Sequence, residues 1–163
     1  VCSSDLNFDP AQALHLLRDI HGQCGDDGGL LIGVDLIKDV GVLEAAYDDA
    51  IGVTAAFNLN LLNHLNALIG ANFAPRDWRH LARFNSHASR IEMHLVPESP
   101  QSVTIGDLNL TIQCQPNETI FTEISCKYTK DSASRALQDA GLELVDWFTD
   151  PQRLFGVALA KRA

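Results

Sequence analysis

Apolar residues recur along the chain with two different periods, and the points where the period changes mark out its elements. Ala13, Leu14, Leu16, Leu17 and Ile20 fall at helical spacing behind Asp9-Pro10, a side-chain cap followed by a residue suited to the first helical turn. This predicts a helix that ends near His21-Gly22. The segment Gly25-Asp26-Asp27-Gly28-Gly29 reads as a turn, and the continuous apolar run from Leu30 to Leu36 reads as a buried parallel strand. At the other end, residues 132–140 carry a helical pattern stopped by Gly141. Residues 142–148 and 154–160 then read as strands joined around Asp150-Pro151, close enough for an antiparallel hairpin.

Between these flanks the pattern changes. Residues 42–51 and 54–69 are predicted helices, the second with Phe57, Leu61, Leu62, Leu65, Leu68 and Ile69 along it, and residues 77–84 add a short third helix. Three strand-like runs follow at residues 90–96, 102–113 and 119–129, the second folded at a Gly106-Asp107 turn. The flanks complete one another and the centre does not. The expected class is therefore α/β, an open sheet ending in an antiparallel hairpin, with a small α+β unit inserted into it.

Composition narrows the function classes. An apolar fraction of 46% in 163 residues is enough for a real core. A net charge of -9 and scattered Lys and Arg argue against nucleic acid or an anionic membrane as partner. The longest apolar runs, such as residues 29–34, fall far short of the roughly 20 residues that span a bilayer. Cys2, Cys24, Cys114 and Cys126 form no Cys-x-x-Cys pair and follow no secretory leader, so the expectation is reduced thiols in a cytoplasmic protein. The chain begins with Val1 and its one Met is Met93, which reads as a portion of a longer protein with residues 1–6 as an odd lead-in.

Two places could bind a small ligand. Period-2 alternation puts Glu123, Ser125 and Lys127 on one face of a strand and Ile124 and Cys126 on the other. A carboxylate beside a hydroxyl on a rigid strand suits a nitrogen heterocycle, although the same pattern describes the solvated face of a half-buried strand. The corner from Tyr47 through Gly52 to Phe57, with Thr54 as candidate helix cap, could wall a pocket, or simply pack as core. His80, His87 and His94 are spaced by seven but fall on a predicted helix, a loop and a strand, with no His-x-x-x-His pair, so no metal is expected. The acidic Gly25–Gly29 turn precedes a strand rather than opening a helix and cannot cradle a phosphate. No nucleophile motif supports hydrolase chemistry.

The runs Gly33-Val34-Asp35-Leu36-Ile37-Lys38-Asp39, Ala45-Ala46-Tyr47-Asp48-Asp49-Ala50-Ile51-Gly52-Val53-Thr54-Ala55-Ala56-Phe57-Asn58, Arg90-Ile91-Glu92-Met93, Thr122-Glu123-Ile124-Ser125-Cys126-Lys127 and Trp147-Phe148-Thr149-Asp150-Pro151 resemble the histidine-specific Nα-methyltransferases of ergothioneine biosynthesis. The resemblance runs from about Asn7 to Ala160. It implies the later strands of a Rossmann-like methyltransferase sheet, at residues 1–37 and 128–163, with a substrate-recognition domain inserted at residues 38–127. It also implies S-adenosylmethionine as co-substrate, held mainly by an earlier Gly-rich loop expected upstream of residue 1, so that the chain alone would be inactive.

By the same resemblance Glu123 and Ser125 hold the substrate's imidazole, Tyr47 and Asn7 its carboxylate, and Thr54, Phe57 and Met93 line the pocket. The family's Gly-Ser-Thr-x-Gly-Asn segment is replaced here by Cys2-Ser3-Ser4-Asp5-Leu6-Asn7, where only Ser3 and Asn7 fit. Anchoring both ends of histidine would fix its α-nitrogen for in-line attack on a sulfonium methyl. The rival expectations are a relative acting on another amine, such as a tryptophan derivative, and a non-catalytic ligand- or partner-binding module.

Overall fold

The structure is a computed structural model that describes residues 8–25 and 27–163. Asn7, named above, lies outside the described residues, as do Cys2 and Ser3. The chain divides into two compact units. The first takes the chain up to Asp39, Asn85–Arg90 and Ile124–Ala163, and the second takes Val40–Phe84 and Ile91–Glu123.

In the first unit, helix α1 (Pro10–Gln23) starts where its cap predicts: the Asp9 carboxylate accepts from the Ala11 and Gln12 amides, and the Gln12 side chain answers the Asp9 amide. Strand β1 (Gly29–Asp35) pairs antiparallel with β8 (Phe155–Arg162), and β8 pairs antiparallel with β7 (Leu142–Thr149), giving the order β1-β8-β7. Helix α4 (Lys130–Asp139) opens on a Thr129/Ser132 capping box. Ala13 and Leu17 of α1 and Leu137 of α4 bury against Leu30, Ile32, Val34, Leu142, Ala158 and Ala160 of the sheet.

The parallel pairing expected for Leu30–Leu36 is corrected here. The ladder of β1 with β8 is antiparallel, and Leu36, just after β1, makes an isolated parallel bridge to Tyr128. Nor is β1 buried on both faces, since Leu30, Ile32 and Val34 point inward while Leu31 is 56% exposed. An unbroken apolar run is compatible with either arrangement, and the direction is set by the strand that arrives last in the chain.

The β7–β8 hairpin forms as expected. The Asp150 carboxylate closes its turn by accepting from the Gln152 amide at 2.9 Å and the Leu154 and Phe155 amides at 2.8 Å. These amide donors hold its pKa below the ordinary carboxylate value. An irregularity between Leu144 and Asp146 shifts the inward parity of β7, so that Leu144 and Trp147 both pack on the core while Phe148 stays exposed. Gly156 sits under the Trp147 indole, where an added Cβ would lie 2.5 Å from the ring.

The second unit holds α2 (Val40–Tyr47) and α3 (Val53–Ile69), the sheet β2-β3-β6 built from β2 (Trp78–Asn85), β3 (Arg90–Pro97) and β6 (Ile120–Cys126), and the hairpin of β4 (Gln101–Ile105) and β5 (Leu110–Cys114). Asn85 at the end of β2, Arg90 at the start of β3 and the part of β6 after Glu123 belong to the first unit. Leu62 of α3 packs with Phe73, Trp78, Leu95 and Val103, and Leu43 of α2 packs with Ala82, Ile91 and Met93.

The helix expected at residues 77–84 is a strand. Pro75–Asp77 makes a single 3-10 turn, and Trp78, His80 and Ala82 then alternate inward along β2. The segment has no strong local preference, and pairing with β3 decides its state. His80 therefore lies on a strand rather than a helix.

Candidate substrate-recognition site

The corner between α2 and α3 is built by a short acidic turn. Gly52 takes a φ of +78° just ahead of α3, a conformation that costs a glycine little. The capping role expected of Thr54 belongs to Asp49, whose carboxylate accepts from the Val53 amide at 3.0 Å and the Thr54 amide at 2.8 Å. Those donors, the Thr54 amide first, lower the Asp49 pKa to about 2. Thr54 is half-buried and also hydrogen-bonds Asp49 through its hydroxyl, while Phe57, nearly one turn further along α3, is 68% exposed.

Tyr47 ends α2 and packs on the cluster that contains Met93. Met93 lies on β3, and its carbonyl accepts from the Thr122 hydroxyl of β6 at 3.0 Å, next in the chain to the exposed Glu123. The second unit thus brings Tyr47 and Met93 into one packed cluster, with Thr54 and Phe57 on the opening turns of α3 and Glu123 on the strand beside Met93.

Ser125 belongs to the first unit and is buried, with its Oγ accepting from the Lys127 ammonium at 2.6 Å. Lys127 was expected on a shared strand face with Glu123 and Ser125, and its side chain is in fact fully enclosed. It pairs with Asp35 at 3.1 Å, and the other Asp35 oxygen meets Lys38 at 2.6 Å. Beside this ionic group runs a groove of about 700 Å³ lined by Phe8, Ser89, Lys127, Tyr128, Thr129 and Arg135, among others. The Phe8 carbonyl accepts from the Cys126 thiol at 3.2 Å, so the residue that follows Asn7 in the chain lies against the same strand end.

The sequence reading missed a buried polar chain in the second unit. The Asn58 amide nitrogen lies 2.9 Å from His80 Nδ1 and donates to the His94 carbonyl at 3.2 Å, and His80 Nε2 lies 2.8 Å from the Tyr47 carbonyl. His94 Nδ1 meets the Thr119 hydroxyl at 2.9 Å, while its Nε2 is 3.7 Å from Glu92, which is paired with Arg83 at 3.3 Å. Burial, then the Arg83 charge, pushes the His94 pKa below its ordinary value against the opposing pull of Glu92. The regular spacing of His80, His87 and His94 was visible, but nothing in the sequence pointed to Asn58 as the group between His80 and the His94 backbone.

Residues 2–162 match the family model of the histidine-specific, SAM-dependent methyltransferases. The chain belongs to that family. It is 40% identical over 156 residues to the histidine N-alpha-methyltransferase of Mycolicibacterium smegmatis, an alignment that covers 96% of this chain and 49% of that protein. The Mycobacterium tuberculosis protein of the same name is 38% identical, with the same two coverages, 96% and 49%. The ergothioneine biosynthesis protein 1 of Neurospora crassa is 31% identical over 90% of this chain and 16% of its own length. The chain therefore spans about half the length of the mycobacterial relatives it matches.

Proposed function

We propose that the protein transfers a methyl group from S-adenosylmethionine to the α-amine of histidine, as a step towards ergothioneine in a cytoplasmic setting. The observation that carries this reading is the 40% identity, along nearly the whole chain, to a histidine N-alpha-methyltransferase. The presence of Glu123, Ser125, Tyr47, Thr54, Phe57 and Met93 at the positions the resemblance assigns to substrate supports it.

Glu123 and Ser125 hold the imidazole, Tyr47 and Asn7 hold the carboxylate, and Thr54, Phe57 and Met93 wall the pocket. S-adenosylmethionine supplies an electrophilic methyl on a sulfonium. No described residue is assigned to hold it: the Gly25–Gly29 turn feeds β1 rather than opening a helix. The residues of this chain contribute orientation. With ring and carboxylate held, the neutral amine would be presented to that methyl group; the nitrogen–carbon bond would form as the carbon–sulfur bond breaks, with the thioether as leaving group and the proton passing from nitrogen to solvent. The sheet β1-β8-β7, with α1 and α4 packed on it, serves as the later part of a Rossmann-like sheet, and residues 38–127 serve as the inserted substrate domain.

Incubation of the intact protein with S-adenosylmethionine and each of the common amino acids, followed by mass spectrometry of the products, tests the reading. Methyl additions on the α-nitrogen of histidine alone are expected. Methylation of a tryptophan-derived amine instead, or ligand binding with no turnover, would replace the reading with one of its rivals.

A further inference from the structure

The chain carries 21 acidic residues against 12 lysines and arginines, so a recess that gathers cations without a carboxylate runs against its overall balance. One such recess, of about 400 Å³, lies within the first unit, where β1 and β7 end and α4 begins. Leu36, Ile37 and Trp147 give it apolar walls, and Lys130, Thr149 and Arg153 give it polar ones. Among the described residues no Asp or Glu lines it. Nor does Lys130 or Arg153 have a carboxylate partner among them, whereas Lys38 is paired with Asp35 at 2.6 Å. Asp150, three residues before Arg153, commits its carboxylate to the Gln152, Leu154 and Phe155 amides.

Arg153 is also held in a backbone conformation that a side chain resists. Its φ is +54°, in the left-handed region, and its amide donates to the Asp150 carbonyl at 3.0 Å. Glycine would be the easier residue there. The hairpin thus keeps a guanidinium beside the recess at a local cost in stability.

We propose that this recess is a second ligand site, made of none of the residues assigned to histidine, and that it takes a small phosphate monoester with a flat apolar body. The planar fork of Arg153 matches two phosphate oxygens, and Lys130 adds a compact second charge, so that two cations balance a dianion. The Trp147 indole and the side chains of Leu36 and Ile37 offer apolar surface to a ring. The volume lies in the range of small-molecule sites.

The test is calorimetry of the full chain with phenyl phosphate at about pH 8, where the ester is a dianion, and a thermal melt on each variant. Phenyl phosphate carries the charge and the ring but no adenine that a site for S-adenosylmethionine could capture. It is expected to bind about tenfold more tightly than phenol or inorganic phosphate. Arg153→Gly should weaken it by about tenfold while leaving Tm equal to the parent's or higher, because glycine relieves the left-handed backbone as it removes the guanidinium. Arg153→Asn, which also tolerates that backbone, should lose binding to the same extent. Lys130→Gln should weaken binding by about threefold. Lys161→Gln, an exposed cation at the far end of β8, should leave binding unchanged. Four results would overturn the proposal: no binding of phenyl phosphate by the parent, binding retained by either Arg153 variant, inorganic phosphate bound as tightly as phenyl phosphate, or a loss in Lys161→Gln equal to that in Lys130→Gln.

Discussion

The amide nitrogen of Asn58 lies 2.9 Å from Nδ1 of His80. Because the opposite ring nitrogen faces the Tyr47 carbonyl at 2.8 Å, and a carbonyl can only accept, His80 carries its proton on Nε2 and accepts from Asn58 at Nδ1. One neutral imidazole thereby ties α3 to the end of α2 across β2. Asn58→Leu strands the His80 acceptor in the interior and should destabilise the protein by roughly 1–3 kcal/mol, read from urea unfolding. It should also raise the KM for histidine, since Tyr47 is set by the same link; an unaltered KM would separate Tyr47 from substrate binding.

His94 makes a second prediction, about acid. Its pKa is lowered in the folded protein, chiefly by burial, so the unfolded chain binds its proton more readily. The neutral ring's contribution to stability is therefore complete above the unfolded value of about 6.5 and is lost as pH falls below it. Stability measured by urea unfolding should decline from pH 7 to pH 5, and His94→Gln should flatten that decline. A slope unchanged in the variant would place the acid sensitivity elsewhere.

Gly156 offers a purely steric test. A methyl group there would sit 2.5 Å from the Trp147 ring and 3.1 Å from the Leu36 side chain. Gly156→Ala should cost about 1–3 kcal/mol through overpacking, with a matching drop in Tm. Pairing it with Trp147→Leu should recover much of the loss, because the two sites are in contact.

Much of this fold was legible because the deciding interactions are local. Asp9 and Pro10 announce α1, Gly141, with a φ of +82°, stops the helical pattern of α4, and Asp150 marks the β7–β8 turn, all within a few residues of the backbone they shape. The errors fall where a distant partner decides. Trp78–Asn85 becomes a strand through β3, and β1 takes its direction from β8 near the far end of the chain. Thr54 looked like the cap because it is the obvious hydroxyl near Gly52, yet the Asp49 carboxylate reaches two amides at once. At the candidate site the alternation that groups Glu123, Ser125 and Lys127 was readable, but not that Lys127 is enclosed. That depends on Asp35, which no local pattern connects to residue 127.

Glu123 supplies the most direct functional prediction. If its carboxylate accepts the imidazole N–H, Glu123→Ala in the intact protein should lower kcat/KM for histidine by roughly tenfold to a hundredfold, the scale of a hydrogen bond to a charged group. Activity towards amino acids with apolar side chains should fall much less, so discrimination narrows. Competition assays with paired amino acids would measure it, and discrimination equal to that of the parent would sink the assignment.

The chain has two tryptophans, and they fall one to each unit: Trp147 over Gly156 in the first, and Trp78, edge-on to Phe73 with ring centres 5.6 Å apart, in the second. Nature has in effect wired a separate fluorescent reporter into each half. Replacing either indole with Phe leaves a single emitter, so the melting of the two halves can be followed one at a time, and whether they come apart together or in sequence becomes a matter of comparing two emission curves.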